Sequence, residues 1–154
     1  MDPKLLTLID TAITREEEAY VFYRDLYGKV HDPAVRATID WIADEERKHK
    51  AFLIKYRNGD FGASALRLSE VVYYNIAEHQ EEPEAAGDLN SAQVYLVASH
   101  RELRSHRFYH ALADQHAAGE AREMLLQMAN EELKHKEKME YLYTNTAFPQ
   151  TSGG

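Results

Sequence analysis

The sequence predicts an all-α fold, an antiparallel four-helix bundle built from two helical hairpins joined by a long crossover. Three observations lead there. Glycine and proline are scarce, 7 and 4 in 154 residues, and they fall between long stretches of helical pattern. Within those stretches apolar residues recur at alternating spacings of three and four, the inward stripe of a bundle helix. And the second half of the chain repeats the first, without a gap, at an offset of 86 positions.

The first helix reads from about Pro3 to Val30, with Leu5, Ile9, Ala12, Glu16, Ala19, Tyr23, Leu26 and Val30 on its stripe. Asp32-Pro33 is an N-cap followed by proline at the first helical position, so the second helix starts there. It runs to about Arg57, where Asn58-Gly59 stops it, with the stripe Val35, Ile39, Ile42, Glu46, His49, Leu53 and Tyr56. Residues 59–89 form the crossover. They contain an amphipathic piece, LRLSEVVYYNIAEH (66–79), whose apolar side is cover for the bundle or, alternatively, a dimer contact. The third helix begins near Asn90-Ser91 and ends near Ala118, with Tyr95, Ala98, Glu102, Ser105, Tyr109 and Leu112 inward. Gly119 breaks it. The fourth runs to about Tyr143 with Ala121, Leu125, Met128, Glu132, His135, Met139 and Leu142 inward. Residues 1–146 therefore read as one domain and 147–154 as a flexible tail.

The repeat is made of metal ligands. The 86-residue shift places Glu16 on Glu102, Glu46 on Glu132 and His49 on His135, and carries EERKHK (45–50) onto EELKHK (131–136). Each half thus holds a lone Glu and, 30 residues later, a Glu-x-x-His. In an antiparallel hairpin, residues equidistant from the turn share one height. Glu16 and Glu46 are each 15 residues from His31, and Glu102 and Glu132 each 15 from Ala117. At a rise of about 1.5 Å per residue both pairs lie about 22 Å from their hairpin ends. Four carboxylates and two imidazoles at one level are the ligand set of a dinuclear carboxylate site in a helical bundle. A glutamate on a helix is usually only solvated, and a single Glu-x-x-His says little. Four glutamates inside apolar stripes are another matter, because unpaired buried carboxylates cost many kcal/mol and the stripes offer no Lys or Arg. Two divalent cations remove that cost. Hard oxygen donors with one imidazole per metal suit two iron ions, with manganese or zinc as substitutes.

Tyr20, Tyr23, Ser105, His106 and Tyr109 flank the ligand positions and are the candidates for contacts to the ligands. Tyr23 and Tyr109 read as core residues whose hydroxyls can reach a ligand carboxylate. His100, His106 and His110 crowd the third helix. Partly exposed surface positions are their plainer reading, with His106, one turn beyond Glu102, the one placed to serve the site.

A net charge of −8 argues against a nucleic-acid partner, which needs a basic face. The absence of Cys excludes disulfides, iron–sulfur clusters and thiolate zinc sites. No signal peptide or membrane-spanning run is visible, so a cytoplasmic protein is expected.

With these residues in hand, the chain resembles the ferritin-like superfamily, and within it the rubrerythrin-type diiron proteins. REEEAYVFY (15–23) and DEERKH (44–49) are similar to that family's first two helices, and HRELRSHRFY (100–109) and NEELKH (130–135) to its third and fourth. The resemblance spans about residues 4–143 and implies the ligands Glu16, Glu46, His49, Glu102, Glu132 and His135. It also implies reduction of hydrogen peroxide, or of dioxygen, at a diiron site. Well-known rubrerythrins carry a rubredoxin domain with four Cys, whereas this chain has none, so its electrons are expected from an external donor such as a rubredoxin or a reductase. Those proteins also have an additional Glu one turn after the third-helix ligand, where this chain has Ser105. A homodimer is expected. The rival readings are an iron-binding, ferroxidase or iron-storage protein, and a structural or regulatory module with a vestigial metal site.

Overall fold

The computed structural model describes residues 3–59, 77–78, 82–83 and 89–148. It contains four helices, α1 (Pro3–Lys29), α2 (Pro33–Arg57), α3 (Ser91–Asp114) and α4 (Glu120–Ala147), with no strand among the described residues. This is the all-α class expected and is consistent with a ferritin-like four-helix bundle. The chain divides into two compact units, Met1–Arg67 and Leu68–Gly154, each holding one helical hairpin.

In the first unit Asp32 caps α2, its Oδ1 accepting the backbone N–H groups of Ala34 at 2.9 Å and Val35 at 3.3 Å, with Pro33 locked into the first turn. At the other end Asn58 and Gly59 close α2. Gly59 takes φ 85°, a left-handed conformation in which a side chain would clash with its own backbone. The antiparallel register is visible in the ion pairs across the hairpin: Asp10 with Arg57, Glu17 with Lys50 and Arg24 with Asp40, the partners converging in number toward the turn. Of the predicted stripe only Leu5 is less than buried. Ile9, Ile39, Ile42 and Leu53 are at most 1% exposed and form the hydrophobic core of the unit.

In the second unit Asn90 caps α3 in a capping box, exchanging hydrogen bonds with Gln93. The end of α3 differs from the expected one. It stops at Asp114, four residues before Ala118, because Gln115 and His116 close three-residue turns onto Leu112 and Ala113 and the His116 Nδ1 donates to the Leu112 carbonyl at 2.8 Å. Gly119, at φ 156°, then precedes α4, whose first turn carries Glu120 and Glu123 where acidic groups favour the helix dipole. α4 continues to Ala147 rather than ending near Tyr143. Nothing breaks it until Pro149, which disfavours helical backbone at Phe148. Ser105, Leu112, Ala121 and Leu142, predicted inward, are half-buried.

The amphipathic crossover piece lies outside the described residues except Ala77 and Glu78, as does the tail beyond Phe148. Ala77, Glu78 and Glu82 make contacts within the second unit. The Ala77 N–H donates to Glu140 Oε1 at 2.6 Å, Glu78 meets Lys136 at 2.9 Å, and Glu82 meets Arg104 at 2.6 Å. No helix among the described residues is long and apolar enough to cross a membrane.

Candidate metal centre

Each unit buries a glutamate–histidine set. On α1 and α2, Glu16, Glu46 and His49 are 2%, 1% and 2% exposed; on α3 and α4, Glu102, Glu132 and His135 are 2%, 0% and 3% exposed. In the first set His49 Nδ1 lies 3.8 Å from Glu16 Oε2 and 3.9 Å from Glu46 Oε2. In the second His135 Nδ1 lies 3.8 Å from Glu102 Oε2. These separations are too long for hydrogen bonds. Donor atoms held about 2.1 Å from one ion sit about 3–3.5 Å from each other, so small side-chain shifts would bring these atoms onto a shared cation. Glu46, His49, Glu132 and His135 each present an atom able to ligate a metal. Carboxylates and imidazoles in this proportion suit iron or a similar divalent ion.

The repeat is carried into three dimensions. The matched His–Glu distances are equal. The Phe22–Tyr23 rings meet edge-on at 5.2 Å and 75°, their counterparts Phe108–Tyr109 at 5.2 Å and 73°. Tyr23 and Tyr109 are 0% and 1% exposed, core residues beside the ligand-bearing turns.

The other flanking candidates diverge. Tyr20 is half-buried and packs under the Arg47 guanidinium, 5.6 Å from the ring centroid, in a groove with Arg24, Asp40, Trp41 and Asp44. Ser105 is half-buried. His106 donates from Nδ1 to the Ala129 carbonyl at 2.7 Å and lines a groove of the second unit with His110. Burial holds its pKa below the ordinary histidine value, outweighing the opposing backbone hydrogen bond, so the ring is neutral at pH 7.

A buried cation escaped the sequence reading. Lys136, next to His135 in the chain, is 0% exposed, and its ammonium touches Glu78, Glu137 and Glu140 at 2.9–3.1 Å. Burial alone would lower its pKa, but the hydrogen bonds it donates to Glu137, Glu78 and Glu140 raise it, so the amine stays charged. A signal was present in the repeat. Lys50, its counterpart, pairs with Glu17, and the position matching Glu17 is Leu103. Deprived of that partner, Lys136 turns to other carboxylates of its unit.

Neither a curated protein nor a solved structure matches the chain. A family model does: the one described as Rubrerythrin matches residues 7–143, a span that takes in α2, α3, most of α1 and α4 and every one of the six glutamate and histidine positions, and the chain therefore belongs to the rubrerythrin family.

Proposed function

We propose that this protein is a non-haem diiron oxidoreductase that reduces hydrogen peroxide, or dioxygen, with electrons from an external donor. The observation that carries the reading is the duplicated, buried glutamate–histidine set, with the same 3.8 Å spacing in each unit. On this reading Glu16, Glu46 and His49 together with Glu102, Glu132 and His135 would hold two iron ions. Four buried carboxylates need positive charge close by. Membership of the rubrerythrin family supports iron as the metal.

An iron pair would supply two electrons to the oxidant. The protein's part is to hold the donors in place and to exclude bulk water through the apolar residues around them. Tyr23 and Tyr109 supply part of that buried wall. The sequence holds no Cys for an electron-transfer iron, so the donor is a separate centre such as a rubredoxin or a reductase.

The test is iron loading without oxygen followed by peroxide titration. About two irons per chain and consumption of one peroxide per iron pair are expected. Glu46→Ala and Glu132→Ala should each abolish the reaction, and sustained turnover should require an added donor. Iron binding that survives both substitutions unchanged would refute the assignment of the centre. Two bound irons inert to peroxide and dioxygen would refute the activity.

A further inference from the structure

We infer that α3 carries a second transition-metal site, in which the Nε2 atoms of His106 and His110 chelate one borderline divalent ion of the copper or zinc type. The pair stands at i and i+4, on one face of the helix. The ring centroids are 5.8 Å apart. An ion about 2.0–2.1 Å from two imidazole nitrogens sets their centroids roughly 4.5–5.5 Å apart, so a modest rotation of the exposed ring closes the chelate.

Both rings are already oriented for it. A histidine that ligates through one nitrogen characteristically donates the other N–H to a carbonyl or carboxylate, which fixes the tautomer. His106 Nδ1 donates to the Ala129 carbonyl at 2.7 Å, and His110 Nδ1 faces Asp114 Oδ2 at 3.5 Å. Since a carbonyl can only accept, the His106 proton sits on Nδ1 and its Nε2 lone pair points away from that bond, toward an ion, while the His110 ring keeps an acceptor beside its own Nδ1. Burial keeps His106 neutral, as ligation requires. The rings line a groove of about 420 Å³ with Glu78, Leu103, Arg107 and Leu133, wide enough for an ion and its remaining water ligands.

The charges around the groove decide the class of ion. Glu78 is engaged by Lys136, and Arg107 repels cations. A hard ion such as Ca²⁺ or Mg²⁺ asks for several oxygen ligands, and beside the engaged Glu78 the groove offers it the single carboxylate of Asp114. A borderline ion bonds to neutral imidazole itself, with copper the tightest of the divalent series. The internal repeat supplies a control. The positions matching His106 and His110 are Tyr20 and Arg24, which line the groove of the first unit. The hairpin therefore forms without histidines at these places, and their presence in the second unit is not a requirement of the fold.

The probe is Cu²⁺ added to the iron-loaded protein, with bound copper counted per chain and its ligands read by electron paramagnetic resonance and electron spin-echo modulation. The wild type should take up one more copper per chain than His110→Gln, and the difference signal should carry two imidazole nitrogens. Asp114→Asn should retain the signal with about tenfold weaker binding. His110 is 53% exposed, so its substitution leaves the fold intact, to be verified by unchanged helicity and iron content. His106→Gln should also lose the site, but His110→Gln decides the matter alone if that variant fails to fold. Equal copper uptake by wild type and His110→Gln, or a difference signal without two imidazoles, overturns the inference.

Discussion

Replacing Lys136 by Met should destabilise the protein far more than loss of a surface ion pair. The Met side chain keeps the apolar stem packed and removes only the ammonium. Glu140, 0% exposed, and Glu137, 5% exposed, would then each lose their contact with that cation. Breaking a buried pair in this way costs about 3–5 kcal/mol, against about 0–1 kcal/mol at the surface. For a chain of this size each kcal/mol moves the melting temperature by about 2–4 °C, so a fall of roughly 6–20 °C is expected. Thermal melts followed by circular dichroism, with denaturant titrations alongside, measure it. The double variant Lys136→Met/Glu140→Gln should recover most of the loss, because the uncompensated buried charge goes with the carboxylate. A single variant that loses less than about 1 kcal/mol, or a double variant less stable than the single one, would show that the cluster is solvated and that its burial has been misjudged.

Other outcomes follow from the same geometry. Burial opposes ionisation of Glu78, but its hydrogen bond from Lys136 wins and holds the folded-state pKa below the ordinary 4.5. Its contribution is therefore complete above pH 4.5 and is lost as pH falls through the folded-state value, so Glu78→Gln should lower the melting temperature at pH 7 and progressively less in acid. Chelating the metal should lower the melting temperature of the wild type, by the equivalent of about 4 kcal/mol if free metal had stood at 1,000 times its dissociation constant. Replacing Glu16 and Glu102 together by Leu should raise the stability of the metal-free protein while abolishing metal uptake. Such melts separate a buried carboxylate layer from a solvated one. Asp32→Ala should cost about 1 kcal/mol through loss of the α2 cap, read as a shift in denaturant midpoint.

What the sequence discloses and what it conceals differ in kind. Helix starts with a side-chain cap were legible: Asp32-Pro33 and Asn90 place α2 and α3 to the residue. Helix ends were less so. The stop of α3 at Asp114 depends on His116 capturing a carbonyl, and the reach of α4 to Ala147 on the absence of any breaker before Pro149. The glutamates and histidines inside apolar stripes could be recognised as buried because the 3.6-residue period places them among residues that must be buried. Lys136, Glu137 and Glu140 could not be recognised in that way, since they share a charged stretch with the exposed Lys138. Two of them meet residues distant in sequence, Glu140 the Ala77 N–H and Lys136 the Glu78 carboxylate, which the local pattern does not announce.

The two halves differ most informatively where the repeat fails. The ligand glutamates and histidines, Tyr23 with Tyr109 and Phe22 with Phe108 are kept, and the local geometry is kept with them. Around them the substitution of Leu103 for Glu17 frees a lysine to bind Glu78, and the substitution of His106 and His110 for Tyr20 and Arg24 puts two imidazoles in a groove of the second unit where the first unit's groove has a tyrosine and an arginine. Identical positions thus specify what the duplicated hairpin must do in common, which on the reading proposed above is to hold a metal. The departures specify what the second hairpin does in addition. Swapping them tests this directly: His106→Tyr with His110→Arg should leave iron uptake unchanged and remove the copper site, whereas loss of both would show that the histidine groove and the buried ligands are one system.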